Sequence, residues 1–104
     1  IFVLPSLFGE GLPMVVIEAM SVGIPVVSTA VEGIPDVLDH GNAGIIVTPN
    51  DSGVLSKGIS SYITGEKDPL ATARIAHARQ AELYSDTAMA KAVALTYQKL
   101  INKD

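Results

Sequence analysis

Hydrophobic positions follow two different rhythms in this chain. In the first half they come as short unbroken runs. Ile1 to Leu4, Pro25 to Ser28 and Gly44 to Thr48 are such runs, and each suits a strand buried on both faces. Between them, Pro13 to about Val22 predicts a helix, with proline at its first position and Gly23 just past its end. Ile34 to Asp39 predicts a short helix or turn. In the second half the spacing changes. Leu55, Ile59 and Ile63 recur at helical spacing, behind Asp51 or Ser52 as a cap and ahead of Gly65 as a stop. Pro69 predicts the start of a further helix running to about Leu83. Ser85 or Asp86 caps a last helix, with Met89, Val93, Tyr97 and Leu100 on one stripe that suits core or interdomain packing.

Strand runs flanked by helices predict an α/β fold, part of a parallel sheet with helices on both faces. Ligands of such sheets bind at the carboxyl ends of the strands. The segments Pro5 to Gly11, Ala30 to Gly33 and Pro49 to Ser52 then share one functional edge.

Composition adds a partner. The chain has 104 residues, 48% of them hydrophobic and only 17% charged. A domain this small leaves much of its surface exposed, so the apolar excess predicts cover from another part of a larger protein. The opening on Ile1 and an apolar run predicts a strand entered partway. The net charge is −4, with seven Lys and Arg scattered along the chain, which argues against a nucleic-acid partner. Without cysteine there is no disulfide, thiolate nucleophile or thiolate metal site. No apolar run approaches the roughly 18 residues of a membrane span.

The chemistry concentrates between Glu10 and Glu18. The helix after Pro13 reads Met-Val-Val-Ile-Glu-Ala-Met-Ser-Val, apolar nearly all round, which predicts burial on most sides. A carboxylate in its middle is then costly unless something pairs with it. No Lys or Arg precedes Lys57, so a ligand with hydroxyl groups is the natural partner for Glu18. Glu10 sits in a loop between Gly9 and Gly11, which allow close backbone approach. The helix start is an anion site, with donors from Leu12, Met14 and Val15 because Pro13 has no N–H. From Pro13 to Glu18 a helix rises about 7.5 Å, on the order of the reach of a diphosphate.

These residues resemble a known family. Pro5-Ser6, Glu10-Gly11-Leu12-Pro13, Glu18-Ala19-Met20, Gly23 to Ser28, Gly33 to Val37, Gly41 and Gly44 follow the order of the donor-domain signature of retaining GT-B glycosyltransferases, family 4 (glycosyl transferases group 1). The two glutamates have that family's E-x7-E spacing. The resemblance implies a Rossmann-like sheet, the C-terminal domain of a GT-B fold, ending in C-terminal helices. Residues 1–104 would be part of the nucleotide-sugar (donor) domain, with the acceptor domain and the start of the donor domain lying outside them. Glu10 would be the catalytic residue, contacting donor-sugar hydroxyls. Glu18 would bind the ribose hydroxyls, and the backbone of Gly11, Leu12, Met14 and Val15 would contact sugar and phosphates. The reaction would be hexosyl transfer with retention, in polysaccharide or glycolipid synthesis, and these residues alone would be inactive. There are departures: Pro13 stands where many members have Gly, Glu32 replaces a common Gly, Asp36 replaces a common Glu, and one residue is inserted between Ser6 and Glu10.

The resemblance implies no metal and no cofactor, with a nucleotide-diphosphate sugar as co-substrate. The acceptor would be a glycan or lipid-linked molecule held by the other domain. Any membrane association would fall to parts outside these residues, giving a cytoplasmic protein or one peripheral to the inner face of a membrane. His40 and His77 read as surface residues, and no carboxylate or histidine cluster has metal-ligand spacing. Two other readings stay open: a nucleotide-sugar epimerase or phosphorylase of the same architecture, and a non-catalytic module that binds an anion or packs in an assembly.

Overall fold

The apolar runs do become strands. The computed structural model describes residues 1–6 and 13–101, and of residues 91–93, 96, 97 and 99–101 it describes the backbone. Strands β1 (Phe2–Leu4), β2 (Val26–Thr29) and β3 (Ile45–Val47) form a parallel sheet in the order β1-β2-β3. Phe2 pairs with Val26 and Leu4 with Ser28; Val27 pairs with Ile45 and Thr29 with Val47. Alternate residues of each run serve opposite faces, which is why the runs are apolar without a break.

Two cores result. On one face Phe2, Leu4, Val26 and Ile46 pack with helices α1 (Met14–Ser21), α2 (Ile34–Val37) and α4 (Pro69–Arg79), through Val16, Ile17, Met20, Ile34 and Ala76. On the other, Val3, Val27, Ile45 and Val47 meet α3 (Ser52–Thr64) through Leu55, Ile59 and Tyr62. Gly58 brings α3 close: a Cβ there would stand 3.1–3.3 Å from Ile45, Val27 and Val47. The Tyr62 hydroxyl donates to the Val26 carbonyl at 2.9 Å, tying α3 to the central strand. Burial pushes the Tyr62 phenol up to about 12.

The helix signals hold with small shifts. Asp51 caps α3, and Gly65 ends it in a left-handed conformation (φ 81°). Asp68 caps α4, with Pro69 at its first position. The helix expected to run unbroken to Leu83 instead ends at Arg79 and continues as a π-helical turn, Gln80–Tyr84. Tyr84 in this turn packs against the first core, a placement that a wider turn permits. The last helix, α5 (Asp86–Ile101), starts behind Ser85, whose hydroxyl accepts the Ala88 amide at 3.1 Å. In its predicted stripe Met89 is half-buried, and the side chains of Val93, Tyr97 and Leu100 lie outside the described residues. Two cations from the second half hold the first. Arg79 donates to the carbonyls of Val37 (3.0 Å) and Asp36 (2.6 Å), and Lys67 donates to that of Gly41 (3.1 Å). Both meet carbonyls where a helical turn ends, the favourable place for positive charge.

Candidate functional site

Parallel topology puts the C-terminal ends of the strands and the N-terminal ends of the following helices on one edge. Pro5 after β1, Thr29 at the end of β2, and Thr48, Asn50, Asp51 and Ser52 after β3 line a cleft of about 350 Å³ there, with Leu55 at its side. The edge is the one expected for ligand. The residues are partly different: Thr29 and Thr48 come from the strands' own ends, and the segment Ala30 to Gly33 does not line the cleft.

Charge decides what this cleft can hold. Asp51 Oδ1 accepts the amides of Gly53 at 3.0 Å and Val54 at 3.1 Å. The first turn of α3 is therefore satisfied by its own carboxylate, and a fixed negative charge faces any approaching phosphate. That charge disfavours a diphosphate at the start of α3.

The start of α1 is the opposite case. Pro13 stands just before the helix, at its N-cap and not within it (φ −80°, ψ 86°), and it carries no side-chain acceptor. Its carbonyl takes the amides of Val16 (3.1 Å) and Ile17 (3.2 Å). Met14 and Val15, two of the donors read from the sequence, head the helix in the first-turn positions that have no intrahelical partner. Glu10, Gly11 and Leu12, also read as donor-site residues, lie outside the described residues.

Glu18 requires a correction. Its helix is apolar all round in sequence but is not buried all round. Met14, Val15, Glu18 and Val22 form an exposed stripe, with Met14 50% and Val22 69% accessible. Met14, Glu18 and Val22 are four residues apart and so share one helix face. The Glu18 carboxylate keeps its water, so desolvation does not compel it to find a partner. What the structure gives it is position: an acceptor among exposed apolar side chains, about one turn beyond the first helical residue. Among the described residues, the one Arg/Lys–carboxylate pair is Arg79–Asp39 at 4.0 Å, His40 lies 4.0 Å from Asp36, and neither contact involves Glu18. His40 and His77 are both exposed. Among the described residues, no group of three or more His, Cys, Asp or Glu is placed to hold a metal, and no helix is long and apolar enough to cross a membrane.

Two hydroxyls at the end of β2 were not singled out from the sequence. Ser28 and Thr29 are buried, and the Thr29 hydroxyl donates to the Ser6 carbonyl at 2.6 Å. The signal that could have found them is a pair of hydroxyl residues closing an apolar strand at its carboxyl end, the edge where ligands of parallel sheets bind.

A parallel sheet covered by helices on both faces has the architecture of the Rossmann-like C-terminal domain of a GT-B fold. Residues 1–81 match the family model described as glycosyl transferases group 1, and the chain belongs to that family. It is 40% identical over 75 residues to the protein named colanic acid biosynthesis glycosyltransferase WcaL of Salmonella typhimurium, covering 67% of this chain and 18% of that protein. It is 36% identical over 84 residues to the amylovoran biosynthesis glycosyltransferase AmsK of Erwinia amylovora, covering 76% of this chain and 21% of that protein. Anabaena HepE, solved in complex with UDP, superposes with a TM-score of 0.86 at 26% identity, over 93% of this chain and 27% of that one. The chain thus spans about a fifth of the length of these curated relatives.

Proposed function

We propose that this segment grips the donor in an enzyme that transfers a hexosyl group from a nucleoside-diphosphate sugar, with retention, to a glycan or lipid-linked acceptor. Polysaccharide or glycolipid synthesis is the setting that fits relatives named for colanic acid and amylovoran biosynthesis. The observation that carries the reading is the start of α1. It is a helix N-terminus on the edge at the strands' carboxyl ends, with no side-chain cap among the described residues, and an exposed carboxylate, Glu18, stands one turn further on. First-turn amides would receive the diphosphate, and the helix dipole would favour the charge that builds on it as the glycosidic bond breaks. Glu18 would accept hydrogen bonds from the ribose hydroxyls, and Glu10 would contact the hydroxyls of the sugar. The relative solved with UDP supports a nucleotide in this role.

Among the described residues, Lys67 and Arg79 are bonded to carbonyls of the turn at residues 36–41. No Lys or Arg precedes Lys57, so none stands near Glu10 in the sequence; the cations that neutralise the diphosphate would come from outside this segment, and the residues alone would transfer nothing. The test uses the full-length enzyme with UDP-glucose, UDP-galactose, GDP-mannose and ADP-glucose, each labelled in the sugar. Transfer from one of them is expected, and Glu10→Gln and Glu18→Gln should each cut it severely. Normal turnover in both variants would remove the site from this helix.

A further inference from the structure

We infer that Thr29 is a positioning residue for the donor site, acting through the point where the chain leaves β1. The backbone pairing of β1 to β2 ends at Leu4 and Ser28. Beyond it no strand ladder holds Pro5 and Ser6, and Glu10 follows Ser6 by four positions in the sequence. Side chains from β2 take over. Ser28 Oγ reaches the Leu4 carbonyl only at 3.4 Å and its neighbour's carbonyl at 3.3 Å, both long for a hydroxyl bond. Thr29 Oγ1 lies 3.4 Å from the Leu4 carbonyl and 2.6 Å from that of Ser6. A hydroxyl has one proton, so the short contact to Ser6 is the bond that counts.

The other end of this tether is rigid. Thr29 is buried and paired with Val47 in the sheet, and the next amide, Ala30, donates to the Val47 carbonyl at 2.8 Å. The Val31 amide turns back onto the Thr29 carbonyl at 2.9 Å. Thr29 is thus fixed on both backbone sides while its side chain holds the neighbouring segment. Pro5, between the two carbonyls it faces, lines the edge cleft with Thr29 itself. A fixed Ser6 carbonyl sets where the chain departs from the sheet edge, and a catalytic contact depends on placement to within about an ångström.

This inference rests on the donor-site reading above, and the experiment separates the two. Full-length wild type, Thr29→Val and Thr29→Ser are compared. Valine keeps the shape and strand preference and removes only the hydroxyl; serine restores it. The expected result is a fall in donor kcat/KM of about fivefold to tenfold in Thr29→Val, the worth of one net hydrogen bond, with recovery in Thr29→Ser. Amide hydrogen exchange over residues 6–15 should quicken in the valine variant alone, while exchange in α3 stays as in wild type. Equal kcat/KM and equal exchange in all three proteins overturn the inference. So does a valine variant whose exchange rises uniformly across the chain, since that is loss of stability and not of placement. Absence of transfer by wild type from every nucleotide sugar offered would count against the donor-site reading, and the exchange comparison would still decide the role of Thr29.

Discussion

Helices α1 and α3 begin on the same edge of the same sheet, and they treat that position in opposite ways. α3 supplies its own anion: Asp51 closes on the amides of Gly53 and Val54. α1 supplies none, because proline occupies the capping position. An uncapped start ordinarily costs a helix roughly 0.5–2 kcal/mol. α1 also leaves Met14, Val15 and Val22 exposed, where α3 turns Leu55, Ile59 and Tyr62 onto the sheet. One helix is built for its own stability. The other keeps donors and apolar surface in reserve for something that arrives later, which is what a ligand and a covering domain would be.

The sharpest way to break this contrast is to alter the carboxylate that α1 does expose. Glu18→Gln in the full-length enzyme should lower donor kcat/KM by roughly 10- to 100-fold, the loss of hydrogen bonds to a charged acceptor worth about 1.5–3 kcal/mol. Because Glu18 is exposed and unpaired with the described cations, unfolding midpoints should hardly move. A variant that unfolds early with donor affinity intact would make α1 a structural helix like α3.

The same contrast explains which parts could be read in advance. Strands, caps and stops follow local rules, so Asp51, Gly65, Pro69 and Ser85 announced their helices. The burial of Glu18 was misread for a non-local reason. Periodicity tells which residues are apolar, and in α1 all faces are, but only the packing of α1 against β1 and α4 tells which face the rest of this segment covers. The π-turn at Gln80–Tyr84 escaped likewise, since it answers to the placement of Tyr84 in the core and not to a local signal. Thr29 was overlooked because a hydroxyl at a strand end looks like the edge of a turn until its partner, two residues beyond the neighbouring strand, is known.

A smaller effect tests how firmly α3 is held. Tyr62 is buried, with its hydroxyl on Val26, and its phenol is raised from 10.0 to about 12. Below pH 10 both folded and unfolded chains keep the proton, and the stabilisation is fully present. Between about 10 and 12 only the unfolded chain gives it up, so stability falls by about 1.4 kcal/mol for each unit of pH. Tyr62→Phe should be about 1 kcal/mol less stable than wild type at neutral pH, and its unfolding free energy should decline less over that alkaline range. Denaturant titrations at pH 8, 10 and 11 would show it; parallel curves would place the phenol in contact with water.

The smallest change bears most directly on where the anion goes. Asp51→Ala removes the cap of α3 and should cost about 1 kcal/mol in denaturant unfolding. It also uncovers two amides beside the edge cleft and takes away a negative charge. If the diphosphate sits at α1, donor KM should stay within about twofold of wild type, since a surface charge change that contacts nothing reacting is worth little. If instead the variant bound donor severalfold more tightly or more weakly, the phosphate would be reading the start of α3. The two helix starts would then have exchanged roles. Glu18→Gln and Asp51→Ala therefore form a pair, one expected to change binding without stability and the other stability without binding. The assignment to α1 stands only if the two effects separate in that direction.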